Sequence, residues 1–146
     1  MSTGLDVFDS TVQKTNLWLK EIMDAREWDD RHKAYQALRA TLQAVRDRLT
    51  TDETAHLGAQ LPLLIRGVYY EGWDPTSIPH KARHKEEFLA PIRHHFARDP
   101  RVDAEQVARA VFTVLAHSIS AGELADIQHM LPKEVNELWP PAASRA

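Results

Sequence analysis

The chain has no cysteine among its 146 residues. That absence excludes disulfides, thiolate metal sites and cysteine nucleophiles, and it agrees with a cytoplasmic location. Glycine is scarce. The five glycines do not cluster, so no glycine-rich loop can cradle phosphates. No apolar run approaches the ~18 residues of a membrane span, and no membrane association is expected. The first residues, MSTGLDVFDS, carry neither the basic nor the apolar region of a signal peptide. The net charge is −3, whereas a dedicated nucleic-acid binder is usually a basic domain, so no nucleic-acid partner is expected. No G-x-S-x-G elbow is present, and a nucleophile without an activating neighbour is inert.

What is present is ordinary in amount and unusual in arrangement. Hydrophobic residues make up 43% and charged residues 27%, the usual proportions of a globular domain. At this length roughly two-thirds of the unfolded surface can be buried, so no metal or disulfide is required for folding.

The chain resembles itself at an offset of 70 residues. Residues 18–69 and 88–139 share 12 identities in 52 ungapped positions, among them Leu61-Pro62 with Leu131-Pro132, Arg39 with Arg109 and Glu53 with Glu123. Apolar character repeats at many further positions, such as Leu42/Phe112, Val45/Leu115 and Ile65/Val135. Self-similarity at a fixed period is the mark of a duplicated unit.

Each unit reads as helical. Ala34, Leu38, Leu42, Val45 and Leu49 recur at steps of three and four, as do Val107, Val111, Val114, Leu115 and Ile119, the spacing of one helix face. Thr50 with Glu53, Ser120 with Glu123 and Asp103 with Gln106 fit capping boxes. Pro62 and Pro132 suit the first turn of a further helix. Helices are predicted near 8–26, 30–49, 88–97 and 103–119, with two short ones closing each unit. One helix is expected to begin near Lys81 and to kink or restart at Pro91.

The expected fold is therefore all-α: two tandem homologous units of about four helices each, packed as one helical bundle. Residues 1–72 form the first repeat, 73–80 the linker, 81–140 the second repeat and 141–146 a loose tail. Leu42, Leu49, Leu61, Ile65, Phe112, Ile119, Leu131 and Val135 are expected in the core.

The stretch HLGAQLPLLIRGVYYEGWDP (56–75) divides along the same line. Leu61, Pro62, Ile65, Val68 and Tyr69 have counterparts of like type and read as scaffold. Arg66, Gly67, Tyr70, Glu71 and Trp73 do not recur. Gly67 inside a helix costs about 1 kcal/mol relative to alanine, which a close helix approach or room for a ligand would explain. The aromatic run is expected to seal the junction against both units. Tyr, Trp and Arg also anchor binding hot spots, so Arg66, Tyr70 and Trp73 are the candidate partner-binding residues.

The strings WLKEI, AYQALRATLQAVRDRLT, AHLGAQLPLLIRGVYYEGWDP and RHKEEFL closely resemble the DUF2267 family of bacterial proteins, over about residues 10–140. The resemblance implies a soluble all-helical protein. The family has no assigned activity, so it brings no catalytic residues.

Other constellations are weak. His80, His84 and Glu87 stand at i, i+4, i+7, a spacing that can bind zinc, but Lys81, Arg83 and Lys85 interleave them. No tight metal site, cofactor or catalytic residue is expected. Residues 78–101 hold six Lys/Arg, three Asp/Glu and four His, a basic stretch that reads as a solvated face. The functional expectation is a non-catalytic protein-interaction or scaffold module with an unknown protein partner or a second copy. The alternative is a helical protein binding a small ligand or metal.

Overall fold

The structure is a computed structural model that describes residues 2–77 and 83–141. Those residues form eight helices and no strand: α1 (Asp6–Arg26), α2 (Arg31–Arg46), α3 (Thr51–Gln60), α4 (Leu63–Tyr70), α5 (Lys85–His95), α6 (Ala104–Ser118), α7 (Ala121–Met130) and α8 (Lys133–Asn136). None is long and apolar enough to cross a membrane. His80 and Lys81 lie outside the described residues, as do most of the expected tail and the end of the expected linker.

The two alanine-rich helices sit at the centre. α2 buries Ala34, Ala37, Leu38, Ala40, Leu42, Ala44 and Val45, and α6 buries Ala104, Val107, Ala108, Ala110, Val111, Phe112, Val114 and Leu115. A helix that is apolar around most of its girth must be surrounded. Accordingly α2 packs on α1, α5, α6 and α4, while α6 packs on α1, α2 and α5. Small side chains let these neighbours approach closely. All eight expected core residues are buried.

Local chemistry sets the helix ends. Asp30 and Asp103 cap α2 and α6, accepting backbone N–H groups of their first turns. The Thr50 and Ser120 hydroxyls accept the N–H groups of Glu53 and Glu123, at 3.2 and 3.1 Å. That is one half of the expected capping box. The other half is absent, because both glutamates turn inward and are buried. Pro62 and Pro132 take the N-cap position, one residue earlier than expected.

α5 departs from expectation at its start. His84 is its N-cap in extended backbone, and the Glu87 carboxylate accepts the His84 N–H. Helix therefore begins at Lys85 and runs through Pro91 as one element. His84 stands off the helix, so it cannot share a helical face with Glu87.

Candidate functional site

The junction segment is built by its hydrogen bonds. Arg66 lies half-buried on α4. Its guanidinium donates to the carbonyls of Gly58 (2.8 Å) and Leu61 (3.0 Å) at the end of α3, where the Gly58 carbonyl also accepts the Leu61 N–H. At the positions 70 residues on, the Asn136 amide donates to the carbonyls of Gln128 (2.7 Å) and Leu131 (3.3 Å). Unlike side chains thus perform the same capping task.

One turn beyond Arg66, Tyr70 covers Gly58. A Cβ at residue 58 would overlap the Tyr70 hydroxyl and lie 2.8 and 2.9 Å from two ring carbons. Tyr70 meets Tyr69 edge-on at 5.0 Å and Trp73 at 5.5 Å. Tyr69 is fully buried, donates to the Thr54 carbonyl at 2.9 Å, and burial pushes its phenol above the ordinary range. The end of α4 is held from α2: Gln43 donates to the Val68 and Glu71 carbonyls, Arg46 to those of Tyr69 and Glu71, and Arg39 pairs with the Glu71 carboxylate.

Arg66 and Tyr70 thus both meet Gly58 from α4, and Trp73, three residues past the end of that helix, packs on Tyr70. The hydrogen bonds of residues 66–73 to other parts of the chain reach α2, α3 and the residue closing α3, and none among the described residues reaches the second half. Gly67 is exposed, with nothing within 4 Å of a Cβ placed there. Neither a close helix approach nor an enclosed ligand explains it. The glycine that a close approach requires is Gly58, which the sequence reading did not single out.

Several residues of the His84, Glu87 and basic features take part in ion pairs and hydrogen bonds within the chain. His84 Nδ1 lies 3.1 Å from Glu134, and Lys85, Arg93 and Arg101 pair with Glu105, Glu86 and Asp99. Lys33 also pairs with Asp99 at 3.1 Å, tying α2 to the α5–α6 loop. Bonds from Arg101 and Lys33 hold the Asp99 carboxyl down at about 2.

Two further features were not legible locally. One is a buried carboxyl pair between α3 and α7. Glu53 and Glu123 are 5% and 7% exposed, and His56 Nδ1 lies 3.5 Å from Glu53 Oε2. Burial, and then Glu53 beside it, hold the Glu123 carboxyl well above the ordinary range. The sole sequence signal was the retention of glutamate at both 53 and 123 while most neighbours changed. The other feature is an apolar stripe. Leu5, Phe8 and Val12 lie exposed along the start of α1, and Leu63 and Leu64 lie exposed on α4. The two helices touch there, with the Leu64 N–H donating to the Thr11 hydroxyl at 2.8 Å.

No curated protein matches the chain. Residues 15–138 match the sequence profile of a family described as "Uncharacterized conserved protein (DUF2267)". That match spans the bundle from the middle of α1 to the end of α8, and the chain belongs to the DUF2267 family.

Proposed function

We propose that the protein is a non-catalytic protein-interaction module. The observation that carries this reading is the apolar stripe of α1 and α4. Scattered exposed hydrophobics are normal, but a contiguous row marks a contact surface. Phe8 and Val12 stand four residues apart on one face of α1, and Leu5, the residue before the helix, lies exposed beside its start. Leu63, Leu64 and the bare Gly67 lie exposed on α4 beside it. Such a surface suits the apolar face of a partner helix. Tyr70 and Trp73 offer half-exposed aromatic edges at the far end of α4, and Arg66 holds that helix to α3. A photo-crosslinking residue at Phe8 or Leu64 should give a discrete adduct in the native cell, while one at the exposed Lys20 should not. Identical adducts at all three positions, or none at Phe8 and Leu64, would refute the stripe. An adduct consisting of two copies of the chain would identify the partner as itself.

We further infer that the bundle arose from two fused homologous units, residues 1–72 and 81–140, joined by 73–80. Support comes from the ungapped 70-residue offset and from the equal ten-residue lengths of α3 and α7 with hydroxyl caps at Thr50 and Ser120. The matching roles of Arg66 and Asn136 add to it. An experimental structure in which residues 18–69 and 88–139 differ in helix order or direction would overturn it.

A further inference from the structure

α3 and α7 lie antiparallel. The Thr50 hydroxyl at the start of α3 meets the Met130 sulfur at the end of α7, and the Ser120 N–H at the start of α7 donates to Gln60 at the end of α3. Between these ends the helices pack on each other, and their interface contains the two glutamates. A carboxylate shielded from water is costly unless its oxygens are satisfied. Here Glu53 Oε1 and Glu123 Oε2 are buried and receive no hydrogen bond from a donor among the described residues, with only the other carboxyl beside each. Both residues are more than nine-tenths buried. Either glutamate could have reached back to its own cap, yet both side chains turn to the interface.

The third member is His56, one turn after Glu53. Its side chain is 65% exposed, so it closes the cluster on the solvent side and leaves a way in. One ligand atom from each of Glu53, His56 and Glu123 lies within 4.8 Å of the others. A small contraction would set all three ~2.0–2.2 Å from one central ion. Asp126 stands one turn after Glu123, as His56 does after Glu53.

We propose that Glu53, His56 and Glu123 form a binding site for one divalent transition-metal cation bridging α3 and α7, with water completing the coordination. Two carboxylates and one imidazole suit zinc or manganese. Calcium would seek more oxygen ligands, and magnesium is rarely held by imidazole. The site lies apart from the α1–α4 stripe and goes beyond the interaction reading.

The test uses the untagged, chelator-treated full chain, titrated with zinc chloride and separately with manganese chloride by calorimetry, with thermal melting in parallel. The expected result is one cation per chain for at least one metal, with a melting temperature that climbs as free cation increases. His56→Ala removes an exposed side chain and should melt like the parent without metal. It should weaken binding by about tenfold or more, since even an outer partner of a metal ligand is worth ~10–100-fold. Glu123→Gln should abolish stoichiometric binding. The proposal falls if neither metal binds saturably to the folded parent chain, as expected were the two carboxyls merely an acid pair sharing a proton. It falls equally if binding survives unchanged in both variants, which would put the cation elsewhere.

Discussion

Two glycines on adjacent helices should answer the same substitution with opposite signs. Gly67 lies in the middle of α4 with open space around its missing side chain. Alanine there gains helix propensity worth about 1 kcal/mol and meets nothing. Gly67→Ala should raise stability by ~0.5–1 kcal/mol and the melting temperature by ~2–4 °C. Gly58 lies in α3 beneath Tyr70, and a Cβ there overlaps the phenol. The same propensity gain is opposed by an overpacking cost of ~1–3 kcal/mol, because the ring must leave its contacts with Tyr69 and Trp73. Gly58→Ala should therefore be neutral to destabilising, by up to ~2 kcal/mol. Urea unfolding, read as the midpoint at constant slope, measures both. The decisive comparison is a double-mutant cycle. In a Tyr70→Ala background the obstacle is gone, and Gly58→Ala should become as stabilising as Gly67→Ala. The reasoning fails if Gly58→Ala stabilises the parent chain, or if its penalty persists without the tyrosine ring.

Further outcomes follow from the same contacts. Leu61→Ala and Leu131→Ala, at corresponding buried positions, should each cost ~2–5 kcal/mol in chemical denaturation, and a cost under ~1 kcal/mol at both would contradict their place in the core. Arg66→Ala and Asn136→Ala should each lose ~1–3 kcal/mol, because each removes side-chain hydrogen bonds to two carbonyls at a helix end; Arg66→Ala alone being costly would break the equivalence argued between them. The Asp99 carboxyl is held down at about 2, so its contribution to stability is present above the ordinary carboxyl pKa of ~4 and is lost as pH falls through the folded value. Asp99→Asn should therefore lower the denaturation midpoint at pH 7 and narrow its gap to the parent chain near pH 2; an equal gap at both values would show that the ion pair does not matter.

The legible part of this fold was whatever depends on near neighbours in sequence. The three- and four-residue steps of α2 and α6 and the hydroxyls of Thr50 and Ser120 act within one or two helical turns, and they appear where the pattern puts them. Contacts across the bundle were not legible. A glutamate three residues after a hydroxyl cap reads as a capping box, and nothing local reveals that Glu53 turns instead toward a helix 70 residues away. Gly58 was missed because the ring above it arrives twelve residues later with no periodic signature. Gly67 was singled out because glycine in a helix is conspicuous, yet its surroundings are open. Arg66 and Asn136 looked unmatched because their side chains differ in size and charge, although both present planar N–H donors in reach of the same carbonyls.

The placement of α1 has a consequence for how the protein is made. Trp18, Leu19 and Ile22 on α1 are buried, and the helices packed on α1 include α6, far along the chain. Roughly 60 residues separate the end of α2 from the start of α6, which at ~5–20 residues per second of synthesis is about 3–12 s. During that interval the emerged part of the chain carries an apolar helix face whose covering helix has not yet left the ribosome. α2 and α4 can pack on α1 as soon as they emerge, but the part of its face that meets α6 stays open until late in synthesis, so the first half cannot complete its packing before the second is made.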